Sequence, residues 1–350
     1  MTDLMQARLM PTNGDKSIGV ITINRPKALN AQNLEMVKFT AQTLDDWAND
    51  DNVAMVVLHG AGDKSLCAGG DIKSLYTNAD EAEEFFGCEY GLMYNMHTYC
   101  KPVLSWGNGI VMGGGLGLHA ASSHKVVTQS TLMAMPEVSI GLFPDAGASY
   151  FLNRMMEKVG LFLGLTGARF NGDDALYLGL ADFAIEHEQF EAVLDGLTKV
   201  SFADDDLNHH RLTAFLQQFH RTDILAQGEI LPNFAKINAL MNAGDLLLVD
   251  KALQEYAGDS SFIQTAIDSY QNGSALTKAI TWHIYHHLKT HDLSLDDIFK
   301  IEKAVAIQCV QQGDFKEGVR ALLVDKDKNP KWQFSLSQIN EACIRQYVPF

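Results

Sequence analysis

The chain has 350 residues, 47% of them hydrophobic, and a formal net charge of -16. That apolar share can bury a substantial core, as one large domain or a core with an appended part, and excludes wholesale disorder. The acidity argues against DNA or RNA as the main partner, because a phosphate backbone needs a basic face, and an anionic ligand would need a local basic island.

Five cysteines, Cys67, Cys88, Cys100, Cys309 and Cys343, are scattered without a CxxC. They read as reduced thiols, which gives a cytoplasmic expectation. The opening MTDLMQARLM lacks a charged stretch followed by an apolar one, and no apolar run is long enough to span a bilayer. Neither a secretory signal nor a membrane partner is expected.

In chain order, the β-branched run at 18–23 predicts a strand, ended by Asn24-Arg25-Pro26. Asn30 is placed to cap a helix whose stripe is Leu34, Val37, Ala41, Leu44 and Ala48. The run VAMVVL at 53–58 suits a strand covered on both faces. A loop with Gly69 and Gly70 follows, then a helix expected at 80–97 with Phe86, Tyr90, Met93 and His97 on its stripe. Strands are expected at 102–106, 125–128 and 132–135, with a glycine-rich stretch at 107–117 and a helix at 116–121 between the first two. Beyond about residue 153 helical stripes dominate, at 207–219, 247–256, 275–288 and 298–309, and the acidic, turn-rich SFADDDLN at 201–208 is a plausible seam. The first half is thus α/β and the second mainly helical, with no fixed-period repeat.

Two glycine-rich loops are candidates for chemistry: Cys67-Ala68-Gly69-Gly70-Asp71-Ile72 and Met112-Gly113-Gly114-Gly115-Leu116-Gly117. Glycine allows positive φ and close approach of backbone to ligand, and unpaired N–H groups at a helix start bind anions. Each loop could aim one N–H at a thioester oxygen, a donor worth roughly 3 kcal/mol in a transition state. The same glycines also suit tight turns. The GxGxxG fingerprint is incomplete, and no P-loop or GxSxG is present. Glu137 and Asp145 lie in an apolar, Gly/Pro-punctuated segment that would resist their ionisation and suit a general base or nucleophile; they equally suit a turn and a helix cap. Glu89 has Phe85, Phe86, Leu92 and Met93 at helical spacing, so it points inward or sits at the stripe's edge. His283, His286, His287 and His291 lack a third-ligand pattern, so no metal is expected. Ser105 and Ser149 have no partner recognisable in the sequence.

Four motifs occur in one order: ITINRPKALNA, CAGGDIKSL, GIVMGGGLGL and MPEVSIGLFPDAGASYFL. In this they resemble the enoyl-CoA hydratase/isomerase (crotonase) superfamily, and within it the 3-hydroxyisobutyryl-CoA hydrolase branch. Gly117 stands where hydratases carry a first catalytic glutamate, Asp145 where they usually have glycine, and DFKEGVRALLVDKDKNPKW at 314–332 resembles that branch's C-terminal signature. The match is weakest at about 188–273, and Ala148 and His119 are minor departures. The resemblance implies a spiral of ββα units forming two stacked sheets at 1–200, then a mainly helical region at 201–350 that covers the site or mediates assembly, with room for a homo-oligomer. It implies an acyl-CoA substrate without a separate cofactor, and a place in valine catabolism. It further implies an oxyanion hole from the N–H groups of Gly70 and Gly114. Glu137 would be general base or nucleophile, Asp145 would bind the 3-hydroxyl, and Glu89 would contact substrate. Residues Cys67, Ala68, Gly69, Gly70, Asp71 and Ile72 would meet the adenine, with Arg25 and Lys27 near the CoA phosphates. Hydratase or isomerase action on another acyl-CoA is the alternative.

Overall fold

A computed structural model describes residues 3–203 and 207–350. Asp204, Asp205 and Asp206 of the acidic stretch therefore lie outside the described residues. The chain forms two compact units, Met1–Gly70 with Gly91–Met133 and Asn171–Gly228, and Asp71–Tyr90 with Ala134–Phe170 and Glu229–Phe350. Both draw on the first 200 residues and on the rest.

The first unit is built on a six-stranded sheet. Its strands are β1 (Met5–Pro11), β2 (Ser17–Ile23), β3 (Val53–Gly60), β5 (Val103–Gly107), β7 (His124–Val127) and β10 (Phe183–Ala184), in the order β1-β2-β3-β5-β7-β10. Only β1 and β2 pair antiparallel; the other neighbours are parallel. β3 is buried over its first six residues, as its unbroken apolar run predicts. On one face of the sheet the alternating residues Ile18 and Val20, Met55 and Val57, and Leu104 and Trp106 join one core with Val193, Leu194, Leu197, Leu212 and Leu216. On the other face Gly19 admits the indole of Trp47, which a Cβ there would meet at 2.4 Å. Strand β1 was not expected from the sequence: it buries only Met5, so it has no alternating apolar face to read. Shorter strands β4 (Ser65–Cys67), β6 (Ile110–Met112), β8 (Leu132–Ala134) and β9 (Phe170–Asn171) make a second sheet in the order β4-β6-β8-β9. The expected α/β organisation with two sheets and a mainly helical C-terminal region is what forms.

One local expectation is corrected. The helix is Leu34–Ala48 and its cap is Asn33, whose side chain accepts the Met36 N–H. Asn30 instead has φ 58 and is buried. Its side chain accepts the Arg25 N–H and donates to the carbonyls of Ala61 and Ser65. It thereby ties the 25–30 turn to the start of β4.

The second unit is helical over its C-terminal part. Ser260, Ser274 and Ser294 cap the helices Ser261–Asn272, Ala275–Thr290 and Leu295–Gln312 by accepting the N–H three residues on. Every residue of the helix Val159–Thr166 is buried. No helix among the described residues is long and apolar enough to cross a membrane.

Candidate active site

Strands β4 and β6 pair in parallel, so the loops that follow them emerge side by side in the first unit. A Cβ on Gly69 (φ +103) would lie 3.2 Å from the Met112 carbonyl oxygen and 3.3 Å from the Gly114 nitrogen. Gly113 has φ 53 and precedes the helix Gly114–Ala121. Among the described residues, neither the Gly70 N–H nor the Gly114 N–H has an acceptor. Two adjoining loops thus each present an unpaired backbone donor, which is what a developing oxyanion requires. The 67–70 loop is held against the 25–32 turn: Ala68 N–H donates to the Leu29 carbonyl and Gln32 N–H to that of Gly69. This seats the turn bearing Arg25 and Lys27 beside the loop, where Lys27 is exposed and the Arg25 guanidinium donates to the Ala31 carbonyl. Cys67 is buried, and its sulfur accepts the Gly69 N–H at 3.4 Å. Asp71 and Ile72 begin the second unit, at the start of the helix Ile72–Thr77.

The second unit gathers carboxyl groups. Glu89 on the helix Ala82–His97, Glu137 at the start of the 3-10 turn Glu137–Ile140, Asp145, and Glu302 on Leu295–Gln312 are all buried. Tyr90 donates its hydroxyl to Asp145 Oδ2. Asp145 does not cap the following helix with its side chain; Gly147 is the cap residue, with φ 84. Glu302 Oε2 accepts the Gly147 N–H at 2.7 Å, and its Oε1 accepts the Ser149 N–H at 2.9 Å. Glu137 Oε2 is buried without a hydrogen-bond partner. Neither Tyr90's bond to Asp145 nor Glu302 was anticipated. For Glu302 the signal existed: with Ile298, Val305, Ala306 and Cys309 it falls on the buried stripe of its helix.

Burial dominates the electrostatics of this cluster. Desolvation, then the charge of Asp145, holds the carboxyls of Glu89 and Glu137 well above the usual range. Asp145 is pushed up to about 6 by burial, against the Tyr90 hydrogen bond that favours its charged form. Glu302 reaches about 8 because desolvation outweighs its two backbone donors. The folded chain therefore holds protons here that an unfolded chain releases near pH 4 to 5. Stability from Asp145 and Glu302 is fully present below the unfolded carboxyl range and is lost as pH rises through 6 to 8, with Glu89 and Glu137 acting in the same direction. The melting temperature is expected to fall between pH 5 and pH 8.5. Differential scanning calorimetry checks this, and a rising or flat trend would contradict the raised values.

Elsewhere, Ser105 proves to have a partner, since its Oγ lies 2.9 Å from His119 Nδ1. Both are 0% exposed, and burial lowers the His119 pKa to about 3, so the pair is a neutral core contact that no substrate reaches. His287 stacks on His291 and on Phe350, and His286 packs against Trp282. Among the described residues no group of three His, Cys, Asp or Glu side chains is arranged to hold a metal ion.

The model of the family described as Enoyl-CoA hydratase/isomerase matches residues 18–348. The 3-hydroxyisobutyryl-CoA hydrolase, mitochondrial, of Xenopus tropicalis is 36% identical over 339 residues, covering 94% of this chain and 86% of that protein. The protein of the same name from Homo sapiens is 32% identical over 355 residues, covering 99% and 89%. Among solved structures, an enoyl-CoA hydratase from Rhodobacter sphaeroides superposes with TM-score 0.85 at 27% identity, covering 99% of this chain and 97% of its own. A carnitinyl-CoA dehydratase from Mycobacterium thermoresistibile gives TM-score 0.85 at 33% identity, with 98% and 96% covered. The mitochondrial relatives overturn the cytoplasmic expectation. Free thiols report reducing conditions and carry no address.

Proposed function

Because the chain belongs to the enoyl-CoA hydratase/isomerase family, we propose that it hydrolyses an acyl-CoA thioester, with 3-hydroxyisobutyryl-CoA as the leading substrate and 3-hydroxyisobutyrate and CoA as products. The observation that favours hydrolysis over hydration is Gly117, a residue with no side chain where a hydratase needs a second acid–base group. Hydrolysis needs only one base or nucleophile and an oxyanion hole.

In this reading the N–H groups of Gly70 and Gly114 receive the thioester oxygen. As general base, Glu137 takes a proton from water while the water oxygen bonds to the thioester carbon and the carbonyl electrons move onto the oxyanion. Collapse of that intermediate breaks the C–S bond, and the proton passes to the leaving sulfur. As nucleophile, Glu137 bonds to the same carbon, expels the thiolate, and leaves an anhydride for water to cleave. Asp145 and Glu89 bind the acyl part, with the Asp145 carboxylate accepting the 3-hydroxyl. Residues 67–72 meet the adenine, and Arg25 and Lys27 supply the local positive charge that a polyanionic ligand needs on an acidic protein. No separate cofactor takes part, and valine breakdown is the pathway that this substrate suggests.

The name of one similar solved structure, an enoyl-CoA hydratase, favours a second reading, addition of water to an enoyl-CoA. One experiment separates the two: thiol release from 3-hydroxyisobutyryl-CoA run beside loss of enoyl absorbance from crotonyl-CoA. Rapid thiol release from the first substrate alone is expected. Loss of enoyl absorbance without thiol release would replace hydrolysis with hydration.

A further inference from the structure

Five acids among the described residues of the second unit are buried. Glu89, Glu137 and Asp145 already have roles in the proposed reaction, and Asp314 is held by the Ser274 hydroxyl and the Gln333 N–H. Glu302 has no such role, and its setting is unusual. It is 0% exposed, and no lysine or arginine among the described residues pairs with it. Its two oxygens are spent on backbone donors about 150 positions earlier in the chain, the N–H groups of Gly147 and Ser149. Those groups belong to the first turn of the helix Ala148–Arg154, which has no side-chain cap of its own.

The turn leading into that helix is strained. Ala146 has φ 57 and Gly147 φ 84, so two successive residues are left-handed, one of them with a Cβ. Such a conformation persists only when its surroundings hold it. Asp145 is the residue immediately before it. The helix Leu295–Gln312 touches the same turn a second time through Phe299, whose ring would lie 3.3 Å from a Cβ at Gly147. Phe299 also packs at 6.1 Å from the ring of Tyr90, the donor to Asp145.

For stability alone this is a poor arrangement. A buried carboxylate without a cation is costly, and an apolar side chain of similar volume is often better tolerated. A capping serine or asparagine at position 147 would serve the helix, but the left-handed backbone there favours glycine. A rigid clamp on the Asp145 turn accounts for the carboxylate.

We propose that Glu302 is a positioning residue: by accepting the N–H groups of Gly147 and Ser149 it fixes the turn that carries Asp145, and so sets how Asp145 and Glu137 meet the substrate. The inference rests on the thioesterase reading for its catalytic consequence.

The test compares wild type, Glu302→Gln and Glu302→Ala with 3-hydroxyisobutyryl-CoA. Gln keeps the volume but turns an NH2 toward one of the two donors; Ala removes both acceptors. A fall in kcat of about tenfold or more is expected in both, with KM changed less than about threefold. Rates are normalised to the folded fraction read by urea denaturation. A fall in kcat that the loss of folded protein accounts for would overturn the proposal, as would wild-type kcat or a loss carried by KM alone. If Glu302→Ala does not fold, Glu302→Gln reads the same outcomes. Should the wild type release no thiol, the thioesterase reading fails by itself. Amide exchange of residues 143–152 then tests the clamp: faster exchange in Glu302→Gln sustains it, and unchanged exchange removes it.

Discussion

Replacing Glu137 by Gln is expected to lower kcat for thiol release roughly a thousandfold, within the range for losing one acid–base group, while KM and the fold are retained. The amide matches the carboxyl in shape but can neither take a proton nor attack carbon. Glu137 is buried, with one oxygen unpartnered, so the native charge is a burden on stability rather than a support. The variant should therefore melt at the wild-type temperature or above it, which separates lost chemistry from lost structure. The sign of the pH dependence follows from the same burial. Either role requires the ionised form, and burial, the charge of Asp145 and those of Glu89 and Glu302 all hold the proton on. Activity should accordingly rise with pH along a limb displaced above the ordinary carboxylate range. Stopped thiol assays between pH 5 and pH 9 measure both effects. A variant that keeps more than a tenth of the rate would remove Glu137 from the chemistry and move attention to Glu89.

The elements that could be read from sequence are those with a strong local signature. VAMVVL suits a covered strand and forms one, and the helix stripes from 207 onward recur at 208–216, 246–254, 275–290 and 295–312. The two glycine loops were visible as composition, but which N–H groups stay unpaired depends on β4 and β6 lying side by side, a long-range pairing that no local pattern encodes. Asn30 and Asn33 are equally good caps on paper; the left-handed backbone at Asn30 decides between them. Glu302 escaped for a different reason. A stripe is recognised by its apolar members, and an acid within it reads as an interruption, although a charged residue on a buried face is the more informative observation. The Tyr90 hydroxyl was likewise read as core packing, because the sequence does not show that Asp145, 55 residues later, faces it.

Gly115→Ala carries the second large expected effect, and it addresses the loop pair rather than the carboxylates. A Cβ at Gly115 would lie 2.1 Å from the Cys67 carbonyl oxygen and 2.7 Å from its carbon. Both are backbone atoms of β4, so no side chain can swing away to make room. Normal contact requires the helix Gly114–Ala121 to recede from β4 by more than about 1 Å. The adjacent Gly114 N–H moves with that helix, while the Gly70 N–H follows Cys67. A displacement of this size at a reacting centre costs about a hundredfold in rate, and overpacking of this kind costs typically 1–3 kcal/mol in stability. The fall in kcat should therefore be larger than the loss of folded protein explains, as read by thiol release normalised to the folded fraction from urea denaturation. Gly91→Ala is the matching control, because a Cβ there meets nothing within 4 Å on the exposed side of the helix Ala82–His97. It should leave kcat unchanged and gain up to about 1 kcal/mol from helix propensity. If Gly115→Ala instead turns over like the control, the spacing of the two loops does not govern the rate, and the assignment of Gly70 and Gly114 to the oxyanion falls with it.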